Sequence, residues 1–189
     1  MKYIVFDSES DGLAYVATKL HVFSWTEDGV DIHVTHDYDK MREVLSQQDC
    51  MFVGHNAIRH DMPLLNRLLG LSLDHTKFVD NLFLSWYINF DMDRHGLGYY
   101  GIKYGKPKPK IDDWNNLTPE EYAHRVSEDV GINWMTWKEH ERKLMSLYGN
   151  EVEMLKVIQY LSFKADCARE QELNPVSYTH LTLPTKRIV

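Results

Sequence analysis

The chain opens on an apolar run, Tyr3-Ile4-Val5-Phe6, that gives way to Asp7-Ser8-Glu9-Ser10-Asp11-Gly12, the pattern of a buried strand ending in an acidic turn. Residues 20–25 and 30–34 are rich in β-branched and aromatic types and flank Glu27-Asp28-Gly29, whose Asp-Gly pair signals a hairpin. Together these three runs predict an antiparallel meander. Met41, Val44 and Leu45 fall on one face of a helix over residues 38–47, with Asp37 or Asp39 as cap. Cys50-Met51-Phe52-Val53 reads as an inner strand opening into the loop Gly54-His55-Asn56. A helix from Asp61 then carries Leu64, Leu65, Leu68 and Leu69 and stops at Gly70. Phe78-Val79 predicts a short fifth strand, and Asp80 caps a helix through Leu82, Phe83, Trp86 and Tyr87. Residues 91–113, with four glycines and two prolines, read as a loop. Thr118-Pro119-Glu120-Glu121 is a capping box with proline at the first helical position, predicting a helix to about residue 147. A second amphipathic helix follows over about 151–171. Three strands followed by alternating helices and strands predict an α/β fold with a mixed sheet.

Composition narrows the class. A length of 189 residues with 43% hydrophobic content suits one domain with a proper core. No run approaches the roughly 18–20 apolar residues of a membrane span, and two cysteines 117 positions apart suggest reduced thiols, so a cytoplasmic protein without a membrane partner is expected. The net charge of -7 argues against binding phosphate backbones through a broad basic surface. One local exception is Lys103, Lys106, Lys108 and Lys110 interleaved with Tyr99, Tyr100 and Tyr104, a composition suited to a single strand's phosphates and bases or to a solvated loop. Residues 175–189 continue no periodicity, and Pro175-Val-Ser-Tyr-Thr-His-Leu181 resembles the translation of a transposon-end adapter used in sequencing libraries. They are set aside as non-native, with the biological sequence expected to run to about Asn174.

The candidate chemistry begins at the first strand. Alternate strand residues face one side, so Asp7 and Glu9 project together, and two adjacent carboxylates repel unless a cation lies between them. Hard divalent ions such as Mg²⁺ or Mn²⁺ take such oxygen ligands. Further along come His60-Asp61, after Gly54-His55-Asn56, and His124-Arg125-Val126-Ser127-Glu128-Asp129.

These segments, in this order, resemble the DEDD superfamily of 3′–5′ exonucleases over residues 2–147, and Asp7-Ser-Glu-Ser-Asp-Gly-Leu13 is similar to the proofreading domains of family A DNA polymerases. The resemblance implies a ribonuclease H-like mixed sheet with an antiparallel three-strand meander and flanking helices. It also implies two Mg²⁺ (or Mn²⁺) ions held by Asp7, Glu9, Asp61 and Asp129, with Asp7 bridging. One branch of the superfamily has a tyrosine four positions before the last acid as general base, and the other a histidine five positions before it. Position 125 is arginine here, so His124 is the candidate base and Tyr122, about two helical turns before Asp129, the runner-up. Leu13 matches the position that packs on the terminal base, and His55 and Asn56 follow a strand end where they can hold the terminal nucleotide.

The expected activity is metal-dependent hydrolysis of a DNA 3′ end to nucleoside 5′-monophosphates, with the single-stranded primer terminus as partner. The alternatives are a stand-alone exoribonuclease or oligonuclease of the same fold, or an inactive scaffold module. On the polymerase likeness, residues 1–150 form the exonuclease and 151–174 a connector to a covalently linked phage-type polymerase domain. A connector cut off there is expected to leave Met154, Leu155, Ile158 and Leu161 partly without an apolar partner.

Overall fold

The central strand β1 (Lys2–Ser10) is buried from both sides because its two faces are both apolar. Ile4 and Phe6 point into one cluster with Phe23, Phe52 and Phe78, while Val5 points the other way to join Val53, Val79 and Trp137. The computed structural model describes residues 1–108 and 117–173. β2 (Leu20–Thr26), β3 (His33–Thr35), β4 (Cys50–Gly54) and β5 (Phe78–Asp80) complete one sheet in the order β3-β2-β1-β4-β5. β1, β2 and β3 pair antiparallel, and β4 and β5 run parallel to β1. The mixed sheet and its three-strand meander follow the sequence expectation.

Helices cover both faces. α1 (Tyr38–Leu45) and α2 (Asp61–Leu69) pack Met41, Leu45, Leu64 and Leu65 against the Phe6 side. α3 (Asn81–Ile88), α5 (Pro119–Tyr148) and α6 (Glu151–Leu173) cover the Val5 side with Leu84, Trp137, Leu144 and Ile158. The α5 start is set as read: Thr118 Oγ1 accepts from the Glu121 N–H and Glu121 reaches back to the Thr118 N–H. No described helix is long and apolar enough to cross a membrane.

Four expectations need correction or fall outside view. β3 starts at His33 rather than near residue 30, because Asp28 Oδ1 accepts from the N–H groups of both Val30 and Asp31 and so lengthens the turn. Within the supposed loop lies α4 (Leu97–Lys103), held by Leu97 and Tyr100 packing on Ile132 of α5. The apolar face of α6 is not left without a partner: Met154 and Ile158 are each 1% exposed, and Leu155 and Leu161 pack on the same cluster. That partner is the sheet and α5. The adapter-like residues 175–189, Asn174 and Lys110 lie outside the described residues.

Because Ile158 is buried in that cluster, Ile158→Ala is expected to destabilise the domain by about 2–5 kcal/mol. Urea unfolding of wild type and variant measures it; an unchanged midpoint would contradict the burial of Ile158 in that cluster.

Candidate metal centre

The centre forms where β1 outruns its parallel neighbour. β4 pairs with β1 only as far as Val5↔Val53, while β2 continues alongside Asp7 and Glu9. The carboxyl end of β1 is therefore open on one side, at the boundary between parallel and antiparallel pairing, where α/β sheets commonly bind ligands. There Asp7, Glu9 and Asp129 bring oxygens to within 4.8 Å of one another. Asp61 stands at the start of α2 and accepts a 2.5 Å hydrogen bond from Ser8 Oγ, so it lies beside the trio and outside it.

The electrostatics are those of crowded anions. Burial, then the neighbouring carboxylates of Asp129, Asp61 and Glu9, pushes Asp7 well above the usual carboxylate range. Burial also raises Glu9 and Asp61, with Arg125 opposing the shift at Glu9 and His60 and the Ser8 bond opposing it at Asp61. Two cations are drawn in. Arg125 Nε lies 3.2 Å from Glu9 Oε1 with its Nη2 3.9 Å from Asp129 Oδ2, and Lys108 Nζ lies 2.6 Å from the same Asp129 oxygen. Asp129 Oδ1 is buried with no hydrogen-bond partner among the described residues. Three convergent carboxylates, one with an unused buried oxygen, form a donor set that fits a hard divalent cation.

The flanking loop is built by Asp80. Its carboxylate caps α3 through the Leu82 N–H and also accepts from the N–H groups of Asn56 and Ile58, while burial raises it to about 6. Asn56 takes a left-handed backbone, φ 65°, a conformation that asparagine tolerates. A side chain at Gly54 would meet Ala57 Cβ at 2.5 Å, so glycine lets the chain turn back on itself there. His55 Nδ1 and Asn56 Oδ1 are buried without a partner among the described residues, and burial lowers His55 to about 4, so it is a neutral ring at pH 7. On the other side of Glu9 opens a cavity of about 950 Å³ lined in part by Leu13, His21, His60 and Tyr122. Leu13 is 74% exposed, and Tyr122 stacks on His21 with ring centroids 4.4 Å apart.

His124 lies elsewhere. Its side chain is 72% exposed and faces Glu128 at 3.5 Å. The cause is the early helix start: with α5 helical from Pro119, five residues at about 100° each turn His124 some 140° away from Asp129. Arg125, four residues before Asp129, occupies the facing position instead. Its role was legible as an i, i+4 pair, whereas Lys108 reaches the acids across the fold and left no local signal. The tyrosine–lysine patch is largely spent inside the molecule: Lys103 and Tyr104 bond Glu139, Tyr100 is buried, and Lys108 is on Asp129.

No family model and no curated protein matches this chain. Solved structures do. Brucella melitensis NrnC with bound Mg²⁺ superposes with a TM-score of 0.63 at 16% identity, covering 99% of this chain and 92% of that one. The same protein has also been solved bound to pGG. A nuclease in its apo form gives 0.66 at 15% identity, covering 98% and 90%. Escherichia coli RNase D, an exoribonuclease involved in structured RNA processing, gives 0.55 at 15%, covering 88% of this chain and 45% of that one. The fold is that of these nucleases.

Because Asp7 is held high, the folded protein binds its proton more tightly than the unfolded chain does, and stability is lost as pH rises above the ordinary carboxylate range near 4. Asp7→Asn is therefore expected to raise metal-free stability at pH 8, with the gain shrinking toward pH 4. Thermal unfolding in chelator at both pH values measures it, and a variant less stable than wild type at pH 8 would contradict the crowding of anions.

Proposed function

We propose that this chain is a metal-dependent exonuclease that removes nucleoside 5′-monophosphates from the 3′ end of a single-stranded nucleic acid. The observation that carries this reading is the meeting of Asp7, Glu9 and Asp129 oxygens within 4.8 Å at the open end of β1, beside a cavity of about 950 Å³ that Glu9 also lines. Asp7, Glu9 and Asp129 would hold one Mg²⁺ or Mn²⁺, and Asp7 with Asp61 the other. Bound there, the cations neutralise the phosphodiester and activate a water.

The chain's own residues do the rest. Arg125 aligns Glu9 and Asp129 by lying against both carboxylates. Leu13, in the cavity wall, would pack on the terminal base, and His55 and Asn56, whose Nδ1 and Oδ1 have no partner among the described residues, would hold the terminal nucleotide. The proton of the attacking water is assigned to His124 on the spacing of the resemblance, with Tyr122, which lines the cavity together with Glu9, as the runner-up. A protein of net charge -7 is suited to gripping one chain end rather than a long backbone.

The likeness of residues 7–13 to proofreading domains supports a DNA 3′ end as substrate, and with it a polymerase domain linked beyond α6. A second reading, an exoribonuclease acting on RNA or short oligonucleotides, is supported by the fold shared with NrnC, solved with pGG, and with the exoribonuclease RNase D.

Degradation of DNA and RNA oligomers of equal sequence, 5′-labelled, separates the two. The DNA reading predicts a ladder shortening from the 3′ end faster on DNA, with Mg²⁺ or Mn²⁺ present and none in chelator; faster loss of RNA selects the second reading. Asp129→Asn is expected to abolish the ladder, and His124→Ala to slow it by roughly 10²–10⁴ with Tyr122→Phe much milder. Wild-type protein that leaves both oligomers intact with metal contradicts the proposal.

A further inference from the structure

Lys108 is seated on the acid cluster by a purpose-built turn. After α4 the chain doubles back so that the Lys106 N–H donates to the Gly101 carbonyl at 2.7 Å. A Cβ at Gly101 would stand 2.6 Å from the Lys106 carbonyl, so only glycine admits this close return. The Lys108 stem then passes Gly98, where an added Cβ would lie 4.0 Å from Lys108 Cδ, and its Nζ ends 2.6 Å from Asp129 Oδ2. Its side chain is 24% exposed, whereas that of Asp129 is 4% exposed, so this ion pair sits at the rim of a buried anion.

The charge balance gives the pair a role. Four carboxylates, Asp7, Glu9, Asp61 and Asp129, face two protein cations, Lys108 and Arg125. Two divalent ions would by themselves offset the four carboxylates, leaving Lys108 and Arg125 as surplus positive charge. A divalent cation on Asp129 and an ammonium 2.6 Å from the same oxygen repel each other strongly in a partly desolvated site. Arg125 keeps its anchor on Glu9. Lys108, with four rotatable stem bonds, is the group free to leave, and an anionic phosphate is the counter-charge that a bound substrate brings.

We propose that Lys108 is a built-in counter-ion which a divalent metal displaces from Asp129 and which then binds the substrate phosphate as a positioning residue. This rests on the nuclease reading above. Lysine occupies the acid cluster in the absence of metal, blocks spurious cation binding, and reports metal arrival to the substrate side by swinging away.

The test uses Lys108→Met in the whole chain. Mn²⁺ titration without nucleic acid, followed by the electron paramagnetic resonance of free Mn²⁺, is expected to give roughly tenfold tighter binding in the variant, because a competing charge is gone. The Mn²⁺-induced rise in melting temperature is expected to be larger than in wild type, a readout that survives a less stable metal-free variant. Binding of dAMP to the Mn²⁺-loaded protein is expected to weaken by roughly tenfold. Unchanged or weaker Mn²⁺ affinity in the variant, or undiminished dAMP binding, overturns the assignment to Lys108 while leaving the metal centre standing. Absence of Mn²⁺ binding in both proteins overturns the metal centre and this inference together.

Discussion

The repulsion among carboxylates gathered at the end of β1 is the constraint on which the rest of the structure depends. Asp7 and Glu9 arrive on one side of a strand by simple alternation, and α5 then delivers Asp129 to within 4.8 Å of them. Left alone, such a set would force its members to take up protons or the helix to move away. Arg125 and Lys108 hold it together, and each acts on a buried or half-buried partner, where removing one member of an ion pair costs about 3–5 kcal/mol against about 0–1 for an exposed pair. The remaining surface ion pairs, such as Lys40–Glu43 and Lys156–Glu153, carry no comparable weight.

Holding α5 in place against that repulsion falls to a buried polar network one turn beyond Asp129. Asn133, on the same helix face as Asp129, donates from Nδ2 to the Phe6 carbonyl at 3.3 Å, one residue before Asp7. Its own Oδ1 accepts from Asn81 Nδ2 at 2.5 Å, and Asn81 Oδ1 is met in turn by His140 Nδ1 at 3.1 Å. Tyr100 OH lies 3.3 Å from the other ring nitrogen and is also bonded by Ser85 and Asn89. Burial lowers His140 to about 3, so the ring is neutral and accepts from one partner while donating to another. Satisfied networks of this kind fix one arrangement of elements, which apolar packing alone would leave freer. The sheet is thus tied to α5 within a few ångströms of the acids, and α3 and α4 are tied to α5 by the same bonds.

Much of the fold was legible because its signals are local. The capping box at Thr118, the apolar run of β1 and the glycine stop at Gly70 each depend on a few neighbouring residues, and each is found where expected. α4 was missed because its seven residues carry two glycines and owe their helicity to Tyr100 and Leu97 docking on Ile132, a tertiary effect that no local pattern reveals. The convergence of Asp7, Glu9 and Asp129 is what the resemblance of the acidic segments implied, but the cations were not implied. Lys108 lies in a lysine–tyrosine stretch that reads either as a patch for a single strand or as a solvated loop, and the return of the chain at Gly101 brings it to Asp129. His124 illustrates the converse: its count from Asp129 matches the histidine branch, while the helix that starts after Thr118 places its side chain on the exposed face, against Glu128.

The central claim is that these carboxylates form a metal site, and anomalous scattering tests it most directly. Crystals soaked in Mn²⁺ are predicted to show an anomalous peak within about 2.0–2.4 Å of oxygens from Asp7, Glu9 and Asp129, with the Lys108 ammonium moved off Asp129. Peaks confined to other surface carboxylates, with the Lys108–Asp129 pair intact, would contradict the account.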